Sequence, residues 1–162
     1  MRLELQDRID GSGVDFRWNL PEEKVLRALA LSILVTIHTK HYIGRLSVLC
    51  GCSIAASIGS RGGIVYLFDG SVVQMKYGIN SMVADISGVV CDGAKPGCAL
   101  KIATAVNSAI RAATMALNNI GADAHDGIVT FDVEKTLENL GTLGNEGMAE
   151  ANSAILDMML HK

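Results

Sequence analysis

Residues 98–121 read CALKIATAVNSAIRAATMALNNIG and carry the clearest helical pattern of the chain. Apolar residues recur there at intervals of three and four, as on one face of an α-helix. These positions are Leu100, Ala103, Val106, Ile110, Ala113 and Leu117. Gly121 follows this pattern, and glycine often comes directly after the end of a helix. The stretch therefore predicts one long helix with Cys98 at its N-terminus.

Upstream, two segments favour further helices. Pro21, with two acidic residues behind it, suits the first turn of a helix. The apolar positions of this helix are Val25, Leu26, Leu29, Ile33 and Ile37. A second apolar segment runs from Leu46 toward Ile58. Gly62 and Gly63 could break it and leave residues 64–68 as a strand, but we favour a helical continuation.

The remaining segments carry capping signals. Ser71 is a suitable N-cap for a third helix, and the apolar positions of that helix are Val72, Met75, Ile79, Met82, Val83 and Ile86. Thr130 is the predicted N-cap of a short helix that ends at Leu140. Asn145 is the predicted N-cap of a last helix that ends at Leu160.

Composition then indicates how these helices pack. Apolar residues make up 49% of the chain but aromatic residues only 4%, so the interior must be built from small and aliphatic side chains. We predict an all-α fold: a compact bundle of about five or six helices with small-residue packing over residues 21–162. Residues 1–20 are predicted to be an irregular arm or linker remnant.

Length and charge exclude several classes of protein. The 162 residues suit one domain. The net charge of −3 argues against a nucleic-acid or acidic-membrane surface. The apolar windows are shorter than the ~20 residues that a membrane span needs, and the N-terminus has no cleavable signal pattern. We therefore expect a cytoplasmic protein with reduced thiols that binds small molecules or proteins.

The four cysteines lie in two compact groups. Cys91 and Cys98 bracket the loop CDGAKPGC, and Cys50 and Cys52 lie upstream in LCGCS. A thiolate at a helix N-terminus is stabilised by unpaired backbone N–H groups and the helix dipole, so Cys98 is a candidate metal ligand or nucleophile. Glycine and proline let the loop curl and aim backbone N–H groups inward. The grouping favours a shared centre.

Three alternatives stay open for these cysteines. They could be buried cysteines that act as small hydrophobes. They could bind structural zinc, although zinc sites usually use C-x2-4-C pairs and the spacings here are C-x-C and C-x6-C. We therefore favour an iron–sulfur cluster over zinc.

A few charged residues are candidates for a role near these thiols. Lys95 and Lys101 could bind a substrate carboxylate, and Lys101 is the candidate we retain. His38 and His41 flank a helix end, where cationic side chains are favoured anyway, so we do not expect them to bind metal. Asp85 interrupts an otherwise apolar helical face. It could belong to a buried polar network or the edge of a pocket, but a single acid on a helix is usually exposed.

The stretch MVADISGVVCDGAKPGCALKIATAV, with RLSVLCGCSIAA before it and GIVTFDVEKTLENLGTLGNEGM after it, resembles the C-terminal part of the L-cysteine desulfidase family. That family is related to the iron–sulfur L-serine dehydratases. The resemblance implies a [4Fe-4S] cluster on three cysteines, one iron open to substrate, and no pyridoxal phosphate. The matching ligands are Cys50, Cys91 and Cys98, with Cys52 as the alternative to Cys50.

The implied reaction is β-elimination from L-cysteine or L-serine to pyruvate and ammonia, with sulfide or water leaving and the open iron as Lewis acid. The resemblance also implies that the catalytic base comes from an N-terminal part, of which Gly11, Ser12 and Gly13 would be a remnant. The chain is thus expected to be the cluster-binding domain of such a lyase, as a truncated protein or one half of a split enzyme.

The alternative is a non-catalytic helical domain or truncated fragment serving assembly, with structural zinc as a third possibility. Expected partners are a small amino-acid substrate and either a separate N-terminal subunit or further copies of the chain. In each case we expect exposed apolar surface that a partner or an oligomer covers.

Overall fold

The computed structural model describes residues 20–161. Within this range the chain forms six α-helices and a π-helical turn, without a β-strand, which confirms the predicted all-α bundle. The elements are α1 (Glu22–Ile43), α2 (Ile54–Leu67), α3 (Val72–Ile86), α4 (Cys98–Leu117), α5 (Val133–Thr142), the π-helical turn (Leu143–Gly147) and α6 (Ala149–Leu160). The arm predicted for residues 1–20 lies outside the described residues, residue 20 excepted. No described helix is long and apolar enough to cross a membrane.

Helix α2 is the centre of the bundle. It packs against α1, α3 and α4, and nine of its fourteen residues are buried. Gly62 and Gly63 lie inside the helix, so the favoured helical continuation is correct. Helices α2 and α4 run parallel, since their N-terminal ends both lie at the cysteine groups and Val65 packs against Ala113 and Ala116 near their other ends. Helix α5 packs against α1 and α3.

Glycines let α1 and α2 approach closely. A Cβ atom on Gly59 would overlap the Thr36 hydroxyl and the Ser32 carbonyl, and one on Gly63 would lie 2.9 Å from the Ala28 carbonyl oxygen. Side chains at these two positions would therefore force the helices apart. The predicted packing through small residues is present at this crossing.

The large aliphatic side chains of α1 and α4 lie mostly on the outside of the bundle. On α1 the exposed residues are Leu26, Leu29, Ile33 and Ile37; on α4 they are Leu100, Val106 and Ile110. The buried positions of α4 are instead alanines and Ser108. Because the helices approach closely, only small side chains fit between them, and the large ones form the outer flank.

One predicted cap is correct and two are wrong. Ser71 caps α3 and completes a capping box there. Helix α5 is capped by Asp132; the Thr130 hydroxyl instead donates a hydrogen bond to the Asp132 carbonyl at 2.7 Å. Asn145 lies within the π-helical turn and donates to the Tyr42 carbonyl at 3.0 Å, so α6 begins only after that turn. The side chains of Thr130 and Asn145 thus donate to backbone carbonyl groups and do not cap the N-termini of α5 and α6.

Arg61 is a fully buried cation between α2 and α3. Its Nη1 atom donates to the Met75 carbonyl at 2.6 Å, whereas Nε and Nη2 have no partner among the described residues. Burial lowers the pKa of the guanidinium to about 9. A Cβ atom on Gly78 would overlap this side chain, so α3 provides the space for it.

Substituting Gly59→Ala should destabilise the fold by about 1–3 kcal/mol or more, because the added methyl group overlaps two atoms of α1. Gly88→Ala is the matched control, since nothing lies within 4 Å of a Cβ atom there, and its effect should stay below about 1 kcal/mol. Urea unfolding followed by circular dichroism measures both. Equal stabilities of the two variants would contradict the close α1–α2 contact.

Substituting Arg61→Met should leave the free energy of unfolding unchanged or raise it, because packing is retained and an incompletely paired buried charge is removed. Arg61→Ala should lose about 2–5 kcal/mol, because it leaves a cavity. Urea unfolding at neutral pH compares the two variants. Equal losses in both would show that the guanidinium itself stabilises the fold.

Candidate functional site at the cysteine loop

A short antiparallel contact joins the two cysteine groups. The backbone N–H of Cys50 donates to the Val89 carbonyl at 2.9 Å, and that of Cys91 donates to the Val48 carbonyl at 2.6 Å. This pairing holds the residues before α2 in an extended form, so the helix does not begin at Leu46 as predicted. The contact places Cys50 and Cys91 on neighbouring backbone segments.

Cys98 is the first residue of α4, as the sequence predicted. Its thiol donates to the Gly93 carbonyl at 3.6 Å across the loop. Gly93 has a φ of 91°, in the left-handed region that favours glycine. This residue lets the chain turn back so that the loop closes over the start of α4.

Lys101, one turn further along α4, binds the loop. Its Nζ atom donates to the Val90 carbonyl at 2.8 Å and forms an ion pair with Asp92. Lys95 pairs with the same carboxylate. The hydrogen bond from Lys101, and after it that from Lys95, holds the pKa of Asp92 well below its usual range. Asp92 is not among the residues predicted from the sequence, although its spacing from Lys95 is that of a local ion pair.

Lys101 also joins the start of α4 to the cysteine loop. Its pKa is raised chiefly by the hydrogen bond to Asp92, while burial opposes this. Val90, whose carbonyl accepts from Lys101, directly precedes Cys91, and Cys98 begins the same helix as Lys101. The Cys50 segment adjoins this loop through the backbone pairing.

The thiols differ in exposure. All four cysteines are free; Cys50 is buried, Cys98 is half-buried, and Cys52 and Cys91 are exposed. The Cys50 thiol donates to the Ser53 hydroxyl at 3.4 Å. Thiolates are the usual ligands of iron–sulfur clusters, so the donors suit such a group in kind. Among residues 20–161, however, no three His, Cys, Asp or Glu side chains stand together at metal-binding spacing.

A small groove adjoins Lys101 between α3 and α4. It has a volume of about 210 Å³ and is lined by Ile86, Val89, Lys101, Thr104 and Ala105. Its lining is apolar except for the ammonium and one hydroxyl. The groove is below the ~300–1,000 Å³ of typical drug-sized pockets and suits a small molecule with an anionic group.

The other candidates from the sequence lie elsewhere. His38 Nε2 lies 2.7 Å from a carboxylate oxygen of Glu134, and the Tyr42 hydroxyl donates to the same oxygen at 2.8 Å. These contacts link α1 to α5. Asp85 accepts a hydrogen bond from Arg111 at 2.6 Å and is exposed, as expected.

These features define a helical domain with free cysteines on adjoining backbone segments and paired charges at one end. Residues 12–157 match the serine dehydratase alpha chain family. The chain belongs to that family, in agreement with the resemblance described above. No solved structure gives a significant match.

The relatives most similar in sequence include three called UPF0597 protein. Those of Clostridium perfringens, Clostridium tetani and Elusimicrobium minutum are 51%, 48% and 45% identical over 141 residues. In each case the match covers 87% of this chain and 33% of the relative. The chain thus spans about a third of the length of these relatives.

The Asp92 carboxyl should titrate well below the ordinary value of about 3.9 for aspartate in a pH series followed by carbon NMR. Because its folded pKa is lowered, the ion pairs stabilise the loop above the ordinary pKa, and this stabilisation is lost as pH falls through the folded value. Lys101→Met should raise the midpoint more than Lys95→Met. The reverse order would show that Lys95 is the stronger partner.

Proposed function

We propose that this chain is the iron–sulfur cluster-binding domain of a lyase that eliminates sulfide or water from L-cysteine or L-serine and forms pyruvate and ammonia. The observation that carries the proposal is the grouping of Cys50, Cys91 and Cys98 around the loop that Lys101 binds. Membership of the serine dehydratase alpha chain family supports the class of reaction. The reducing cytoplasm would keep the thiols free.

In this proposal Cys50, Cys91 and Cys98 hold a [4Fe-4S] cluster, and pyridoxal phosphate is not needed. When bound, such a cluster supplies a Lewis-acidic iron for the departing sulfur or oxygen. We favour Cys50 over Cys52 because the Cys50 backbone is paired beside the Cys91 segment. The exposed Cys52 stays the alternative.

Lys101 is the residue we propose for binding the substrate carboxylate. Its ammonium already binds the carboxylate of Asp92, which is the same chemical group that an amino acid presents. A substrate carboxylate would replace that of Asp92 there, with the substrate thiol or hydroxyl directed toward the cysteine residues. The catalytic base is expected from the polypeptide that the longer relatives have in addition.

A second candidate function is favoured by a different observation. The large aliphatic residues on the outer flanks of α1 and α4 suit a non-catalytic helical domain that serves assembly. Metal uptake separates the two, because an assembly domain needs no cluster.

Anaerobic reconstitution of the full chain with ferrous iron and sulfide should give the broad visible absorbance of an iron–sulfur cluster. Cys91→Ser and Cys98→Ser should abolish this absorbance, because a serine hydroxyl is a poor ligand for such a centre. Cys52→Ser is the matched control and should retain it. Absorbance and iron content report on the cluster, and a pyruvate assay with L-cysteine and L-serine identifies the substrate.

Three results would change the assignment. Equal loss in Cys52→Ser would make Cys52 the third ligand. Equimolar zinc without iron uptake would indicate a structural zinc site. A wild-type chain that takes up neither metal would overturn the proposal in favour of the assembly domain.

A further inference from the structure

We propose that α1, α2 and α4 form an apolar groove that receives a helix from the polypeptide which the longer relatives carry beyond the matched region. This docking surface goes beyond the proposed lyase function and does not depend on a bound cluster. Its two walls are large aliphatic side chains, and its floor is the small-residue edge of α2.

The walls consist of residues that the bundle leaves exposed. Leu29 and Ile33 of α1 are 54% and 58% exposed, and Val106 and Ile110 of α4 are 49% and 50% exposed. Single exposed aliphatic residues are ordinary on a protein surface, but successive turns of two neighbouring helices are not. The two rows form a continuous apolar surface only if they lie on the same side of α2.

The exposed edge of α2 lies between the two walls. With 3.6 residues per turn, Ser60 falls on the helix surface between Gly63, which faces α1, and Ile64, which packs with the α4 side. Ser60 is exposed, whereas the residues that face α1, α3 and α4 are buried or half-buried. The open edge of α2 is therefore a strip of small side chains with α1 on one side and α4 on the other.

The aliphatic rows of α1 and α4 lie on the flanks of these helices that face away from α5 and α3. On α1, the contact with α5 is made through His38, on the opposite flank from Leu29 and Ile33. On α4, Lys101 and Thr104 line the groove shared with α3, on the opposite flank from Val106 and Ile110. Helices α3 and α5 thus lie on one side of α2. The two aliphatic rows both lie on the opposite side of α2.

The shape suits a helix as occupant. Neighbouring helix axes lie about 8–10 Å apart, so α1 and α4 are separated by roughly twice that distance across α2. A helix is about 10 Å wide and can lie over the small side chains of α2 with its apolar face against both walls.

The relatives indicate where this helix comes from. The matched 141 residues make up 33% of the Clostridium perfringens protein, so that protein contains about twice as much polypeptide again. In that protein a segment joined to the matched region is present at a high effective concentration and would fill the groove before a second copy could. The occupant we infer is therefore a helix of that additional polypeptide, and a second copy of this chain is excluded by the proposal.

Hydroxyl-radical footprinting tests the inference on a graft in which residues 20–161 replace the matched region of the Clostridium perfringens protein. Peptides containing Leu29 and Ile33, and those containing Val106 and Ile110, should be oxidised several-fold more slowly in the graft than in the full chain alone. Phe131, which is 82% exposed and lies outside the groove, should react equally in both. The unmodified Clostridium perfringens protein should show the same protection, which keeps the test valid if the graft does not fold.

Substitution in the floor gives a sharper test. Ser60→Arg should abolish the protection in the graft, because a long charged side chain would lie beneath the docked helix. Ser153→Arg on α6 is the matched control, since Ser153 is also exposed and also donates its hydroxyl to the carbonyl four residues earlier. Both variants of the chain alone should melt within a few degrees of the wild type.

Two outcomes would overturn the inference. One is equal oxidation of the wall peptides in the chain, the graft and the Clostridium perfringens protein. The other is a dimer of the chain alone in sedimentation that Ser60→Arg converts to a monomer, which would show that a second copy fills the groove. Both readouts are independent of iron uptake, so they are distinguishable from failure of the proposed lyase function.

Discussion

The close approach of α1 to α2 is the constraint on which the rest of the structure depends. Gly59 and Gly63 bring the backbone of α2 against α1, and alanines on α4 close the other side in the same way. Little aliphatic bulk can then fit between these helices. The consequence is a domain with a narrow core at its centre and large apolar side chains on its outer flank, which is unusual for a single folded unit.

The same constraint positions the thiols. Because α2 and α4 run parallel and close together, the segments that precede them meet at one end of the bundle, where the Cys50 and Cys91 segments pair. Lys101 then reaches from the first turn of α4 to Val90 and Asp92. The loop is therefore held by contacts of the fold itself, although its sulfur atoms are not assembled at ligand spacing among the described residues.

Structural features that depend only on neighbouring residues could be predicted from the sequence. The capping box at Ser71 and the start of α4 at Cys98 depend on neighbouring residues only, and both are correct. Apolar periodicity predicted the helices α1 and α4, but it does not tell which partner covers a face, and many of these apolar residues are exposed. The burial of Arg61 depends on α3, a different helix, so the sequence alone could not reveal it. The Asp92–Lys95 ion pair is local, and its spacing could have predicted it.

The parallel arrangement of α2 and α4 also gives the molecule an uneven distribution of charge. Both helices direct the positive ends of their dipoles toward the cysteine loop, and Lys95 and Lys101 add two full charges there against the single carboxylate of Asp92. The chain as a whole carries a net charge of −3. A small anion in solution would thus be attracted toward this one end, which raises its rate of encounter with the loop and makes that rate sensitive to ionic strength.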